Sequence, residues 1–220
     1  MNVLDSKILE VSVTIPAGTV RLPADLVMPA GATGVVIFAH GSGSGRLSPR
    51  NRSVAFSLLE RGLGTLLFDL LTEEEAREEY YTARLRFDIS FLARRLIAAM
   101  DWVSQHETTR DLPPGCFGSS TGAAAALVAA ATDDRVRAIV SRGGRPDLAA
   151  EHLRRVQAPV LLIVGENDGA VMELNERARE QLQCENSLSI VPRAGHLFEE
   201  PGALDEVSRL ASEFFVKHLK

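Results

Sequence analysis

Six short, predominantly apolar runs, separated by polar, helix-patterned segments, constrain this chain more than any other feature. They are Gly34 to Ala39, Gly64 to Phe68, Gly115 to Gly118, Val136 to Val140, Val160 to Val164 and Leu188 to Val191. A strand that faces solvent on one side alternates polar and apolar residues, whereas a strand covered on both faces is apolar at every position. The runs therefore predict a buried, mostly parallel sheet. Ahead of them, Ile8 to Ile15 and Val20 to Val27 alternate about the turn Pro16-Ala17-Gly18, which predicts an antiparallel hairpin.

Helices are expected between the runs. Ser48-Pro49 supplies an N-cap and a proline at the first helical position, and Val54, Leu58 and Leu59 recur at helical spacing up to a stop at Gly62. Phe87 to Val103 repeats the pattern, followed by Thr121 to Ala131, Val171 to Leu182 and Ala203 to Leu219. Right-handed crossovers of this kind build a three-layer α/β/α sandwich around a mostly parallel central sheet with an N-terminal antiparallel hairpin. Leu71 to Thr82, with five acidic residues and Tyr80-Tyr81, has no clear period and reads as a loop over the sheet. With no repeat, linker or composition break, residues 1–220 are expected to form one domain.

Composition removes several functional classes. A net charge of -5, with the densest basic cluster confined to Arg46, Arg50 and Arg52, does not suit a nucleic-acid surface. The longest apolar candidate for a membrane span, Ala123 to Ala131, has half the length required, so no membrane partner is expected. Met1 to Leu9 lacks the basic and apolar regions of a secretory signal. Two cysteines, Cys116 and Cys184, form neither a disulfide framework nor a metal pattern, and a cytoplasmic location is the expectation.

Ligands of such sheets gather at the carboxyl ends of the strands. There Gly118-Ser119-Ser120-Thr121-Gly122 fits G-x-S-x-G between a strand-like run and an alanine-rich helix, which makes Ser120 the apex of a strained turn. The glycines leave room for that apex, and Ala123 to Ala126 let the helix pack closely on the sheet. Two other groups compete for the role of nucleophile. Cys116 lies four residues earlier, inside the strand, where a buried thiol behaves as a hydrophobe. Ser119 projects to the opposite side of the strand.

The run Val160 to Val164 ends in Gly165-Glu166-Asn167-Asp168, and Leu188 to Val191 leads to Pro192-Arg193-Ala194-Gly195-His196. A carboxylate and an imidazole thus follow the elbow in the order Ser, acid, His. In that arrangement His196 takes the Ser120 proton and returns it to the leaving group, and Asp168 fixes the imidazole tautomer, with Glu166 as the substitute acid. The oxyanion would be held by the Thr121 backbone N–H and by a second donor in His40-Gly41-Ser42-Gly43-Ser44-Gly45, at Ser42 or else Gly41 or Gly43. Arg46 occupies the third position of G-x-G-x-x-G, which argues against a dinucleotide loop. His40 is expected to order its loop, and His106, His152 and His218 to be solvated. Arg84, Arg86 and Arg142 are candidates to line a pocket for an anionic substrate.

The motifs at His40 to Arg46, Gly118 to Gly122, Gly165 to Asp168 and Ala194 to Phe198 together resemble the dienelactone hydrolase-like branch of the α/β-hydrolase superfamily, over nearly the full chain. The resemblance implies a compact, lidless fold with neither metal nor organic cofactor, acting on small esters or lactones. Dienelactone hydrolases proper carry cysteine at the elbow centre, where this chain has Ser120. Serine with a histidine base suits ordinary ester cleavage, so hydrolysis of small carboxylic esters or lactones through an acyl-enzyme is the first expectation. Phosphotriester or thioester cleavage by the same three residues is the alternative, and a non-catalytic binding protein on this fold a remoter one.

Overall fold

A computed structural model describes residues 8–220, so the reading of the N-terminus falls, for residues 1–7, outside the described residues. Eight strands form one sheet: β1 (Ile8–Ala17), β2 (Val20–Pro29), β3 (Val35–Ala39), β4 (Gly64–Phe68), β5 (Pro114–Ser119), β6 (Ala138–Arg142), β7 (Val160–Gly165) and β8 (Asn186–Val191). Their spatial order is β1-β2-β4-β3-β5-β6-β7-β8. β1 and β2 pair antiparallel, β2 joins β4 antiparallel, and β4 through β8 are parallel. The hairpin turns at Gly18, the last residue of the expected turn, where φ is +67°.

The helices are α1 (Pro49–Glu60), α2 (Glu73–Thr82), α3 (Ile89–Val103), α4 (Thr121–Ala130), α5 (Gly169–Gln181) and α6 (Ala203–His218). Strand side chains alternate between two cores. Ile37, Cys116, Ile139 and Leu162 pack with residues of α3, α4 and α5, while Phe38, Phe117, Val140 and Ile163 pack with those of α1 and α6. The central strands are buried at nearly every position, which is why apolar residues dominate them, with Thr65 and Ser141 buried among them. No helix of the described residues is long and apolar enough to cross a membrane.

One segment departs from the sequence expectations. Leu71 to Thr82 is not a loop: α2 is capped by Thr72, whose side chain accepts from the Glu75 N–H while the Glu75 carboxylate accepts from the Thr72 N–H, a complete capping box. Its one buried side chain is Glu79, so no apolar stripe exists to give a helical period. Pro146–Arg155 forms 3₁₀ turns that pack against α4 and α5.

Candidate functional site

The chain leaves β3 toward one edge of the sheet and β5 lies on its other side, so the strand order reverses between them. Crevices open at such switch points. The two loops found there are His40 to Gly45, after β3, and the elbow at Ser120, after β5.

Ser120 has φ 51° and ψ -119°, a conformation that L-residues other than glycine seldom adopt and that costs of order 1–3 kcal/mol. Backbone bonds hold it there: its N–H donates to the Arg142 carbonyl (3.2 Å), and its carbonyl accepts from the Ala123 N–H (3.1 Å) and the Arg145 N–H (3.1 Å). The flanking glycines are needed for close approach. A β-carbon at Gly118 would stand 2.7 Å from the Ala123 nitrogen, and one at Gly122 would meet the carbonyl oxygens of Ala39 and His40. Every residue of α4 is buried, so the elbow rests on a fully packed helix.

The acid and imidazole turns are stitched to one another. Glu166 N–H donates to the Val191 carbonyl (3.0 Å), Asn167 N–H to the Ala194 carbonyl (2.9 Å), and Arg193 N–H to the Glu166 carboxylate (2.7 Å). Glu166 is thereby engaged as a brace between the two turns. Asp168 stands at the N-cap of α5 without a side-chain cap bond, and its Oδ2 lies 2.6 Å from His196 Nδ1. That contact leaves Nε2 as the free nitrogen of His196. The ring lies beside the elbow: a β-carbon on Gly143, next to the Arg142 carbonyl that anchors Ser120, would be 3.5 Å from His196 Cε1. Among the described residues no hydrogen bond joins the Ser120 hydroxyl to His196, so the three groups share one loop cluster with the serine–histidine contact open.

Across from them, Gly41 packs on the elbow so closely that an added β-carbon would be 3.1 Å from Ser120 Cβ. The Ser42 and Thr121 hydroxyls lie 3.2 Å apart, which ties the β3 loop to the first turn of α4. Neither the Ser42 nor the Thr121 backbone N–H has a hydrogen-bond partner among the described residues. Free N–H groups at a helix start favour negative charge.

His40 orders its loop as expected. Its Nδ1 donates to the Gly41 carbonyl (2.9 Å) and its Nε2 accepts from the Leu70 N–H (2.9 Å), which commits both nitrogens of a neutral ring. Burial lowers its pKa, against the opposing pull of the Gly41 carbonyl and Asp69. Cys116 is fully buried, and that burial pushes its thiol up to about 12, leaving no thiolate at neutral pH. Ser119 turns away from the site and donates to Asn51 Oδ1 (3.2 Å).

A cavity of about 650 Å³ opens beside Ser42 and Thr121, walled by the β3 loop and by α2. The three arginines proposed for it separate. Arg86 lines it, but its Nε donates to Glu79 and its Nη2 to the Glu79 carbonyl (3.1 Å). Arg84 is exposed outside it, and Arg142 is buried on the α1 side of the sheet, under Phe198, its pKa brought down to about 10 by burial and then by Arg50. Sequence reasoning missed Glu79 and Asp69 in the wall; the Thr72-Glu73-Glu74-Glu75 capping signature would have located the first. The remaining histidines are half-buried, not solvated: His106 stacks on Trp102 and His218 packs on Phe214. Among the described residues no group of His, Cys, Asp and Glu is arranged to hold a metal ion.

The model of the family described as alpha/beta hydrolase domain matches residues 32–209. This chain is an α/β hydrolase of the dienelactone hydrolase-like family. It is 56% identical to a dienelactone hydrolase from Anabaena variabilis of known crystal structure, covering 97% of this chain and 99% of that one with a TM-score of 0.95. It is also 51% identical, over 98% of its length, to a putative phosphoribosyl transferase of Mycobacterium tuberculosis, but spans 48% of that protein. A probable 2-oxo-3-(5-oxofuran-2-ylidene)propanoate lactonase of Bradyrhizobium is 27% identical over 84% of this chain and 77% of its own. The α/β hydrolase thus has its counterpart in about half of the mycobacterial relative's length.

Proposed function

We propose that residues 1–220 act as one serine hydrolase domain that cleaves small carboxylic esters or lactones through an acyl-enzyme on Ser120. The observation that carries this reading is the 2.6 Å Asp168–His196 pair placed beside a strained serine apex and two unpartnered backbone N–H groups.

In the proposed reaction the Ser120 Oγ attacks the ester carbonyl carbon while His196 Nε2 accepts the hydroxyl proton. The carbonyl π pair moves onto oxygen, where the Ser42 and Thr121 N–H groups would receive it; one such donor is typically worth about 10² to 10³ in rate. Collapse of the tetrahedral centre expels the alcohol oxygen, which takes the proton from His196, and leaves the acyl group on Ser120. Water then repeats the sequence, giving the acid and the free serine. Asp168 holds Nδ1–H toward itself throughout and stabilises the imidazolium.

The Anabaena and Bradyrhizobium relatives, named as a dienelactone hydrolase and a probable lactonase, agree with this reaction class. The transferase name belongs to a protein more than half of which lies outside the match, and the hydrolase model accounts for most of the matched chain. A fluorophosphonate probe with mass mapping of the adduct is the test. Labelling of wild type and Cys116→Ser but not of Ser120→Ala supports the proposal, and an unlabelled wild type, or an adduct that survives Ser120→Ala, overturns it.

A further inference from the structure

The cavity beside the oxyanion donors has a polarity that selects among acyl groups. Resting on the hydrolase reading, we propose that it receives the acyl part of the substrate and accepts an uncharged, mainly apolar group while rejecting one that bears a carboxylate, with Glu79 setting that discrimination.

The assignment to the acyl part follows from which residues line the cavity. Ser42 and Thr121 do, whereas His196 and Asp168 do not. The leaving group must lie where His196 can hand it a proton, and His196, 40% exposed and beside Gly143, is outside the cavity lining. The remaining arm of the carbonyl then points into the cavity. About 650 Å³ is within the range that encloses small organic ligands.

The charge balance decides the class. Two cations line the cavity, Arg46 and Arg86, against three carboxylates, Asp69, Glu73 and Glu79. Arg46 is flanked by Asp69 at 3.4 Å and by Asp25 at 3.6 Å. Arg86 is bound by Glu79, a 5% exposed carboxylate that also accepts from the Leu85 N–H (2.6 Å) and the Arg86 N–H (3.1 Å). Burial alone would raise the Glu79 pKa, but the Arg86 side chain and those two N–H groups outweigh it and hold the acid below its ordinary range. Glu79 is therefore ionised at neutral pH and cancels the cation beside it. An entering carboxylate would lose its hydration and find each cation already facing an acid. An apolar chain instead meets Leu70, Leu71, Leu92 and Pro23, with Leu47 and Tyr80 exposed at the mouth.

The experiment compares para-nitrophenyl heptanoate with the para-nitrophenyl monoester of adipate, corrected for spontaneous hydrolysis. Wild type should favour the heptanoate in kcat/KM by about tenfold or more, on the scale of one desolvated, uncompensated charge. Glu79→Gln, which frees Arg86, should lower that ratio, and Arg86→Met, which leaves Glu79 uncompensated, should raise it. The second variant keeps the test open if Glu79→Gln unfolds α2. Equilibrium binding of the same pair to Ser120→Ala reads the preference without turnover, so loss of catalysis on both esters condemns the hydrolase reading and not the selectivity. A wild-type ratio near or below one, equal affinity of the two esters for Ser120→Ala, or a ratio lowered by Arg86→Met overturns the proposal.

Discussion

The Ser42 Oγ and Thr121 Oγ1 atoms lie 3.2 Å apart although 79 residues separate them in the chain. That contact ties the loop after β3 to the first turn of α4, which carry the N–H groups proposed as oxyanion donors. It belongs to side chains, while the proposed donors are backbone, so the contact and the donors can be separated by mutation. Ser42→Ala and Thr121→Ala should each lower kcat by about fivefold, the worth of one ordinary hydrogen bond of about 1 kcal/mol. Because both remove the same bond, the double variant should lose little more than either single one. Steady-state kinetics of the four proteins measures the coupling, and additive losses would mean that the hydroxyls act independently.

Glu166 and Asp168 are two residues apart on one turn, yet they are engaged by different partners. Asp168→Asn should lower kcat by about 10³- to 10⁴-fold, because the amide stabilises the wrong imidazole tautomer. Glu166→Gln should change activity by less than about threefold, since only the brace to the Arg193 N–H is weakened. Equal losses in the two variants would reopen the choice of acid.

The buried His40 gives a stability signature in pH. Its folded pKa lies below the unfolded value of about 6.5, so the unfolded chain binds the proton more readily. Its contribution is complete above pH of about 6.5 and declines as the pH falls from there toward the folded pKa. The melting temperature should therefore drop between about pH 7 and 5. His40→Asn should flatten that slope, apart from a remainder from His218, whose pKa is also lowered, chiefly by burial. An unchanged slope in the variant would place the titrating group elsewhere.

Gly122→Ala would drive a methyl group into the Ala39 and His40 carbonyl oxygens, the latter at 2.5 Å, and neither can move without shifting the end of β3 or the loop after it. The cost should exceed about 3 kcal/mol, the upper end for overpacking. Gly202→Ala, with no atom within 4 Å but φ +80°, should cost only about 1 kcal/mol of backbone strain. Denaturant midpoints of the two variants provide the comparison.

The legibility of this chain follows its burial. β4 spans the run Gly64 to Phe68 without change, and β3, β5 and β7 agree within two residues, because strands covered on both faces are mainly apolar. β6 starts two residues after its run, at Ala138, since Val136 is buried without joining the ladder. α2 was opaque for the opposite reason: it is held by a capping box and by the Glu75–Arg95 and Glu79–Arg86 ion pairs, interactions with no hydrophobic period. The chain order of Ser120, Asp168 and His196 was readable because each follows a recognisable strand. The pairing of Arg86 was not, since it depends on the left-handed turn at Ala83 that folds it back onto Glu79.

The positive φ of Ser120 means that the residue best suited to its own backbone is not the one the chain carries. A glycine would sit in that turn without strain, and Ser120→Gly should melt higher than the parent. The native sequence is thus held short of its most durable version at the apex of the elbow, and a laboratory selection for thermal endurance alone would be drawn to erase the hydroxyl first.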